Sequence, residues 1–595
     1  MPRLRPLLTQ PQRLELSKYS DVIAHLLFHR GLETAEKAQK FLEPDYSTDI
    51  HDPFLLKDAE KAAGLVIEAI KSKKRITIYA DYDADGIPGA ALFTDFLKRI
   101  GFKNFAVYIP HRHDEGFGLN EDAVEKIVAD KSDLLITIDC GITDVVAVKK
   151  AKKAGLIVII TDHHEPPEEL PPADAIIDHR QADCAYPDKN LCGSGVAFKL
   201  IQAILKKERF GLGEGQEKWL LDLVGLATMS DMVPLTGENR VLAYYGMNVL
   251  RKSPRKGLME LLRKLKINQR TLSEDDVAFM ITPRINAASR MGLPMDAYSL
   301  LVADNETDAR FYADHLDKIN NERKGVVASL VKEVKKLVHE RHGSAMPAVI
   351  VLGNPLWRPS LLGLVANSCA EEFNRPVFLW GRDGDDVIKG SCRSEGQSSV
   401  VALMRSVSVE VFSQFGGHHH SGGFAVSNEQ IHFLEVKLNE GAKKIKEVKE
   451  KARADLDKAK DGNGLIVEET GLDDDNENEQ IIDSELKLDD LTPQFFEDLS
   501  KLAPFGMGNP KPLFLFKNVV PKVVRTFGKA QDHVSLTFSR TNGREISAIS
   551  FFGAANDWAK ILKTGDKIDL VATPEKSYFG GRVELRLRVE GVERK

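Results

Sequence analysis

Three apolar runs in the first third of the chain each end in acidic or histidine side chains: Ile76–Asp85 (ITIYADYDAD), Leu134–Gly141 (LLITIDCG) and Leu156–His164 (LIVIITDHH). Where strands alternate with helices, the strands of a parallel sheet point the same way and deliver their C-terminal side chains to one edge. Six or more acidic groups gathered at that edge would repel and raise one another's pKa, so either cations neutralise them or the strands do not pair in this way, and the first is the expectation. Helix-like stretches at 58–71, 88–100, 121–130 and 144–154 separate the runs, and Ala175–Asp178 (AIID) reads as a further strand. Residues 56–250 are therefore expected to form a doubly wound α/β domain.

At 595 residues the chain exceeds what one core supports, so further domains are expected. Residues 251–340 read as a helical connector in which Phe311–His342 forms one long amphipathic helix. Ala348–Leu352 (AVIVL) opens a second α/β unit over 341–450. Short alternating runs such as His533–Phe538 and Val583–Val589 suit a small OB-like β-barrel within 491–595. Residues 1–55 are left as an N-terminal segment. Residues 461–490 hold twelve acidic residues against one lysine, too few apolar groups to offset ordering, so 451–490 reads as an acidic linker or insertion. The net charge of −6 hides the opposite bias at the end of the chain, where residues 511–595 carry sixteen Lys and Arg against nine Asp and Glu. The start MPRLRPLLTQPQ has no leader pattern and no run of about 18 apolar residues occurs, which predicts a cytoplasmic protein without a membrane segment. Five cysteines at irregular spacing form no CxxC pair, against both a disulfide frame and a zinc site.

Asp81, Asp83 and Asp85 alternate, which places them on one face of an extended segment, and Gly86 permits a sharp turn. A calcium loop is the alternative, but Phe96 stands where its closing glutamate is required. Asp139 by itself fits an ordinary turn, and Asp231 fits a turn after the apolar run Trp219–Met229. Asp162-His163-His164 at a buried strand end is a stronger signal, because such groups are costly there unless they bind a metal or move a proton.

The order and spacing of DYDADG, IDCG, TDHH and SDMVPL resemble the four motifs of the DHH phosphoesterase superfamily. Five further blocks, PHRHDEGFGLN, NLCGSGVAFKL, PRINAASRMG, FGGHHHSGGF and LAPFGMGNPKPLF, extend the likeness to the RecJ branch, single-stranded-DNA-specific exonucleases, over nearly the whole chain. The resemblance implies a parallel-sheet DHH domain joined by a long helix to a DHH-associated α/β domain and a C-terminal OB-like barrel. It implies two divalent ions held by Asp83, Asp85, Asp139, His163 and Asp231, with Asp139 bridging, and places Asp81, Asp162 and His164 as catalytic partners that orient ligands or phosphate. It sets Arg393, Gly416, Gly417 and His418 across the cleft from the metals. Carboxylates and imidazole without thiolate favour Mn2+, with Mg2+ as the alternative.

Arg284, Arg290, Arg393 and His418 are candidates for meeting phosphate oxygens, the arginines having interdomain salt bridges as their other reading. Arg358 and Ser360 stand where relatives carry histidine and glycine, in a segment expected to line the cleft, and Tyr79 stands where some members place a metal-binding histidine. In the terminal domain Lys517, Lys522, Arg525, Lys529, Arg582, Arg586 and Arg588 are expected to follow a single strand, with Phe527, Tyr578 and Phe579 as stacking surfaces or core. The resemblance implies 5′-to-3′ hydrolysis of single-stranded DNA to mononucleotides in repair and recombination, with a single-stranded-DNA-binding protein and a helicase as partners. The alternatives are another DHH phosphodiesterase, acting on nanoRNA or cyclic dinucleotides, and a non-catalytic DNA-binding subunit of a replication assembly.

Overall fold

The computed structural model describes residues 3–595 except 344, 383–386, 396–397, 408–410, 418, 461–480 and 580–581, and the side chains of 449, 452–460, 578, 579 and 582 are likewise not described. Strands β1 (Ile76–Ala80), β2 (Phe105–Tyr108), β3 (Leu134–Ile138), β4 (Ile157–Thr161) and β5 (Ala175–Ile177) form a wholly parallel sheet in the order β2-β1-β3-β4-β5. Both faces are covered, so β1 and β3 are buried at every position and read in the sequence as unbroken apolar runs. The order reverses at β1 and β3, and the crevice beyond their C-terminal ends is where the acidic residues emerge.

Helix α1 (Gly86–Arg99) follows β1, and α2 (Gly193–Lys207) and α3 (Leu221–Ser230) complete this side of the domain. A helical layer continues through α4 (Lys256–Leu265), a π-helical turn at Asp276–Ile281, α5 (Thr282–Met291) and α6 (Pro294–Val302). The 37-residue α7 (Glu306–His342), capped by Asn305 accepting from the Asp308 N–H, spans from this layer to the next sheet. Its sequence is charged on most sides, as suits a helix bridging two bodies.

The second sheet, β6 (Ile350–Gly353), β7 (Val377–Arg382), β8 (Ile388–Arg393), β9 (Phe412–Gly417) and β10 (Ser421–Val426), has the order β9-β10-β8-β7-β6, with α8 (Pro359–Phe373) against it. A helix over Leu434–Lys460 continues into the stretch expected to be an acidic linker, and residues 461–480 of that stretch lie outside the described residues. The third sheet comprises β11 (Ser484–Glu485), β12 (Phe514–Val519), β13 (Val523–Phe527), β14 (His533–Ser539), β15 (Glu545–Ser550), β16 (Ile568–Phe579) and β17 (Arg582–Arg594), in the order β11-β12-β16-β17-β15-β14-β13. Only three residues join β12 to β13, although five strand spacings, about 24 Å if the sheet were flat, separate them. So short a connection reaches roughly 14 Å at full stretch, so the sheet must curl until its two ends approach. No pairing among the described residues closes it, so the OB-like domain is a curled open sheet rather than the closed barrel the sequence suggested.

The N-terminal helices are not a separate body. Leu16, Leu26 and Leu27 share one core with Phe514, Phe516, Leu536 and Phe538 of the C-terminal sheet. Arg240, 2 % exposed, fastens this joint unit to the catalytic domain. Its guanidinium donates to the carbonyls of Phe41 (2.5 Å), Leu502 (3.0 Å), Lys501 (3.2 Å) and Ala503 (3.3 Å).

Candidate metal centre

The centre is built by strand ends meeting helix starts. After β1 the chain passes through Asp81 and Asp83 to Asp85, the N-cap of α1. Asp83 accepts the N–H groups of Asp85 (2.8 Å) and Gly86 (3.2 Å), which tightens the turn. A Cβ at Gly86 would overlap the Asp81 carbonyl, so only glycine fits. Asp85 accepts the N–H groups of Gly193 (2.6 Å) and Ser194 (2.8 Å), placing its carboxylate at the N-terminus of α2. Asp139, past β3, takes a left-handed backbone (φ 62) that few residues other than glycine adopt. A Cβ at Gly193 would come within 2.6 Å of its Oδ1. Asp162 and His163 follow β4, and Asp231 caps α3 at its C-terminus.

His163 Nε2 lies 3.1 Å from Asp139 Oδ1, 3.7 Å from Asp231 Oδ2 and 3.8 Å from Asp85 Oδ2. Three overlapping groups of ligand atoms each fall within 4.8 Å of one another: Asp139, His163 and His164; Asp85, His163 and Asp231; Asp81, Asp83 and Asp139. The structure thus brings Asp81, Asp83, Asp85, Asp139, His163, His164 and Asp231 into one pocket. Asp162 plays another part, accepting from the N–H groups of Ile142 (3.0 Å), His163 (2.8 Å) and His164 (3.2 Å) and from His164 Nδ1 (2.7 Å).

Burial, reinforced by the neighbouring carboxylates, pushes Asp81, Asp139 and Asp231 well above the usual range and Asp85 up to about 6. Burial and the charge of His164 push His163 down to about 3, which leaves it a neutral ligand. His164 goes the other way. Burial opposes its charge, but the Asp162 hydrogen bond and charge prevail and raise it to about 9, while Asp162 is held below its ordinary value despite its own burial. Asp81 Oδ1 and Asp139 Oδ1 are buried without a hydrogen bond, a cost that a cation would remove. The donors are hard oxygens and imidazole. The nearby thiols face backbone and hydroxyl partners, Cys140 Sγ the Ile138 carbonyl and Cys192 Sγ the Thr228 hydroxyl, so the set fits Mn2+ or Mg2+.

Beside the carboxylates four arginines converge, with no acidic partner in an ion pair among the described residues. Arg290, pushed down to about 9 by burial and by Arg112, Arg323 and Arg393, donates to the Ser360 carbonyl (2.8 Å), and Ser360 Oγ donates back to the Arg290 carbonyl (3.2 Å). The contact clasps α5 to α8 across the cleft, through a hydroxyl that glycine would lack. Arg393 lies against Gly363, where a Cβ would come within 3.0 Å of its guanidinium. Arg358, exposed, is the N-cap of α8. Gly416 and Gly417 pair with Gly423 and Gly422 in the β9–β10 hairpin, and His418 lies outside the described residues. Arg284 is a correction: its buried guanidinium is engaged by Asp317 (2.8 and 3.0 Å) and the Met280 carbonyl (2.6 Å), so it braces α5 against α7 instead of facing phosphate. Tyr79 is engaged elsewhere, donating to the Gly118 carbonyl (2.7 Å) and stacking on Tyr108.

Sequence reasoning missed several groups within the very blocks it quoted. Arg112 sits over the Tyr82 ring (4.9 Å), Asn286 Oδ1 accepts the Ala84 N–H (2.9 Å) between Asp83 and Asp85, and Phe117 meets the His164 ring edge to face (5.5 Å). On the C-terminal sheet Lys522 pairs with Glu545 (2.7 Å), Arg525 and Lys529 are exposed, and the Arg582, Tyr578 and Phe579 side chains lie outside the described ones. Arg586 pairs with Glu575 (2.6 Å) and lies over Phe551 (5.5 Å), and His533 contacts Phe527, Phe551 and Phe552. Phe551 and Phe552 carried no strand pattern of their own, since they form the turn after β15.

Residues 75–228 match the DHH family, N-terminal domain, residues 346–452 the DHHA1 domain, and residues 482–591 the RecJ OB domain. The chain is 34% identical over 570 residues to the single-stranded-DNA-specific exonuclease RecJ of Bacillus subtilis (strain 168), covering 96% of this chain and 67% of the relative. It is 34% identical over 432 residues to the protein of the same description from Haemophilus influenzae, covering 71% and 75%. The crystal structure of RecJ in complex with Mn2+ from Thermus thermophilus matches with a TM-score of 0.77 at 27% identity, over 99% of this chain and 79% of that one. The corresponding Mg2+ complex gives 0.71 at 26% identity, over 100% and 78%.

Proposed function

We infer, from the fact that this chain belongs to the RecJ family of the DHH phosphoesterases, that it is a metal-dependent exonuclease acting on single-stranded DNA in the 5′-to-3′ direction and releasing mononucleotides. The observation that carries this reading is the cluster of carboxylates and one neutral imidazole, its buried oxygens unpaired, opening onto arginines that no described acidic residue pairs.

Asp83, Asp85, Asp139, His163 and Asp231 are the residues we assign to two Mn2+ or Mg2+ ions. Asp139 and His163 each belong to two of the three ligand groups, and of the two Asp139, with two carboxylate oxygens against one neutral imidazole, would be the residue to serve both ions. Cations bound there would acidify a water and neutralise charge on the scissile phosphate. The protein supplies the rest. Asp162 fixes His164 through Nδ1, leaving Nε2 protonated at neutral pH to donate to a phosphate oxygen. Arg290, Arg393, Arg112 and Arg323 meet the other phosphate oxygens, and Asn286 holds the Asp83–Asp85 turn in place. Water attacks phosphorus, the P–O3′ bond breaks, and no side chain forms a covalent intermediate. Along the C-terminal sheet Arg586 with Phe551, Phe552 and His533 offers charge and stacking to an unpaired strand.

The test is incubation of the purified chain with Mn2+ and 5′-labelled single-stranded DNA, with single-stranded RNA, duplex DNA and a cyclic dinucleotide in parallel. Release of labelled mononucleotide from single-stranded DNA alone is expected. Preferential cleavage of the cyclic dinucleotide would instead favour another DHH phosphodiesterase, and strand binding without cleavage a non-catalytic subunit. Work in the cytoplasm beside a helicase and a single-stranded-DNA-binding protein belongs to the same proposal, since an exonuclease of this kind needs strands exposed for it.

A further inference from the structure

A pocket of about 260 Å3 lies where α1 and α6 end and α3 and α4 begin. Both α1 and α3 run from this pocket to the metal centre. α1 has Asp85 as its N-cap and Lys98 and Arg99 in its last turn, while α3 starts beside Trp219 and ends on Asp231. At 1.5 Å per residue the 14-residue α1 spans about 21 Å, so the pocket is remote from the carboxylates yet shares two rigid elements with them.

The walls divide into satisfied and unsatisfied charge. Asp222 accepts from Ser253 Oγ (2.6 Å) and Arg255 Nε (2.8 Å), and Asp95 from Arg255 (2.7 Å) and Arg99 (3.0 Å). Lys98 and Lys256, both exposed, have no ion pair among the described residues, Asp304 accepts only from Asn305 Nδ2 (3.2 Å) so that the unpaired charge is two lysines against one carboxylate, and Trp219 is 41% exposed. Two free ammonium groups beside a half-open indole suit an anion that carries a flat ring. The volume is of the order of a single nucleotide, a base, a sugar and a phosphate, and too small for a polymer.

We propose that this pocket binds a nucleoside monophosphate, its base against Trp219 and its phosphate between Lys98 and Lys256, and that occupancy is transmitted along α1 and α3 to Asp85 and Asp231. A mononucleotide is what the exonuclease reading has the enzyme release, so calling the ligand a product rests on that reading. The binding itself does not.

Thymidine 5′-monophosphate titrated into the full chain in EDTA, followed by calorimetry and tryptophan fluorescence, tests the site with no cation at the carboxylates to hold a phosphate there. Saturable binding is expected, weakened about tenfold or more by the double variant K98E/K256E and by W219A, and unchanged in Asp139→Asn. Mn2+ titrations with and without the nucleotide should then differ in affinity by about threefold or more in the unmodified chain and coincide in K98E/K256E. Lys98, Lys256 and Trp219 are at least partly exposed while Asp139 is buried, and a melting temperature no lower than that of the unmodified chain will establish that each variant is folded. Nucleotide binding that survives the double reversal, or that vanishes in Asp139→Asn, overturns the assignment. So does capture of an acidic peptide ending in an aromatic residue without binding of the nucleotide, and an Mn2+ affinity indifferent to nucleotide overturns the coupling. Failure of the exonuclease reading would show separately, as a chain that binds the nucleotide and does not cleave single strands.

Discussion

At the scale of single residues the centre is a store of electrostatic stress. Four carboxylates with raised pKa values share a pocket with a histidine that stays neutral, and Asp139 adds a left-handed backbone. Asp139→Ala should therefore lower hydrolysis at least about a thousandfold while single-strand binding, measured by gel shift, stays within a fewfold. Turnover near the unmodified rate would remove Asp139 from the mechanism. The same stress sets a pH dependence. An aspartate whose folded pKa lies above its unfolded value binds more protons folded than unfolded between the two, so in EDTA stability falls as pH rises through that window. For Asp85 the window runs from near 4 to about 6, on the order of 2–3 kcal/mol. Cations displace those protons, so the gain in melting temperature on adding Mn2+ should be larger at pH 8 than at pH 5. An equal gain at both would mean these groups are not the ligands.

At the scale of elements, function depends on helices that start where strands end. The first turn of α2 holds Asp85 through two N–H groups and clears space for Asp139 with Gly193. Gly193→Ala should weaken Mn2+ binding, read by calorimetry, about tenfold or more through displacement of Asp139, with little change in helix content by circular dichroism. The strands and helices of the catalytic domain stand within a few residues of where the apolar periodicity puts them, because buried parallel strands and amphipathic helices write their burial directly into residue type. Arg284 shows the limit of that reading. A guanidinium suits a phosphate and a carboxylate equally well, and only the position of Asp317 on α7 decides between them.

At the scale of the whole molecule the N- and C-terminal segments form one body, which Arg240 ties to the catalytic domain. Its buried guanidinium is satisfied wholly by backbone carbonyls, so Arg240→Leu should cost on the order of 3 kcal/mol and show as a lower melting temperature and faster proteolysis near residues 501–503. Deleting 491–595 would also uncover the core of the N-terminal helices, which makes truncation a poor probe of strand binding. Phe551→Ala with Phe552→Ala is the cleaner change. It should weaken binding of long strands by about tenfold, measured by fluorescence anisotropy, and leave cleavage of very short ones near normal. Equal losses on both lengths would place those rings outside the strand path.

The sequence by itself determined the alternating strand–helix order, the acidic and histidine residues at the strand ends, and a likeness specific enough to name the family, because each is written in local pattern. Tertiary structure alone decided that Arg240 meets the carbonyls of Lys501, Leu502 and Ala503, that Arg284 serves Asp317, that the terminal sheet curls without closing and that Asp85 and Asp231 share helices with a remote pocket. Those outcomes depend on which distant surfaces pack together, and periodicity along a chain carries no record of which partner fills a given face.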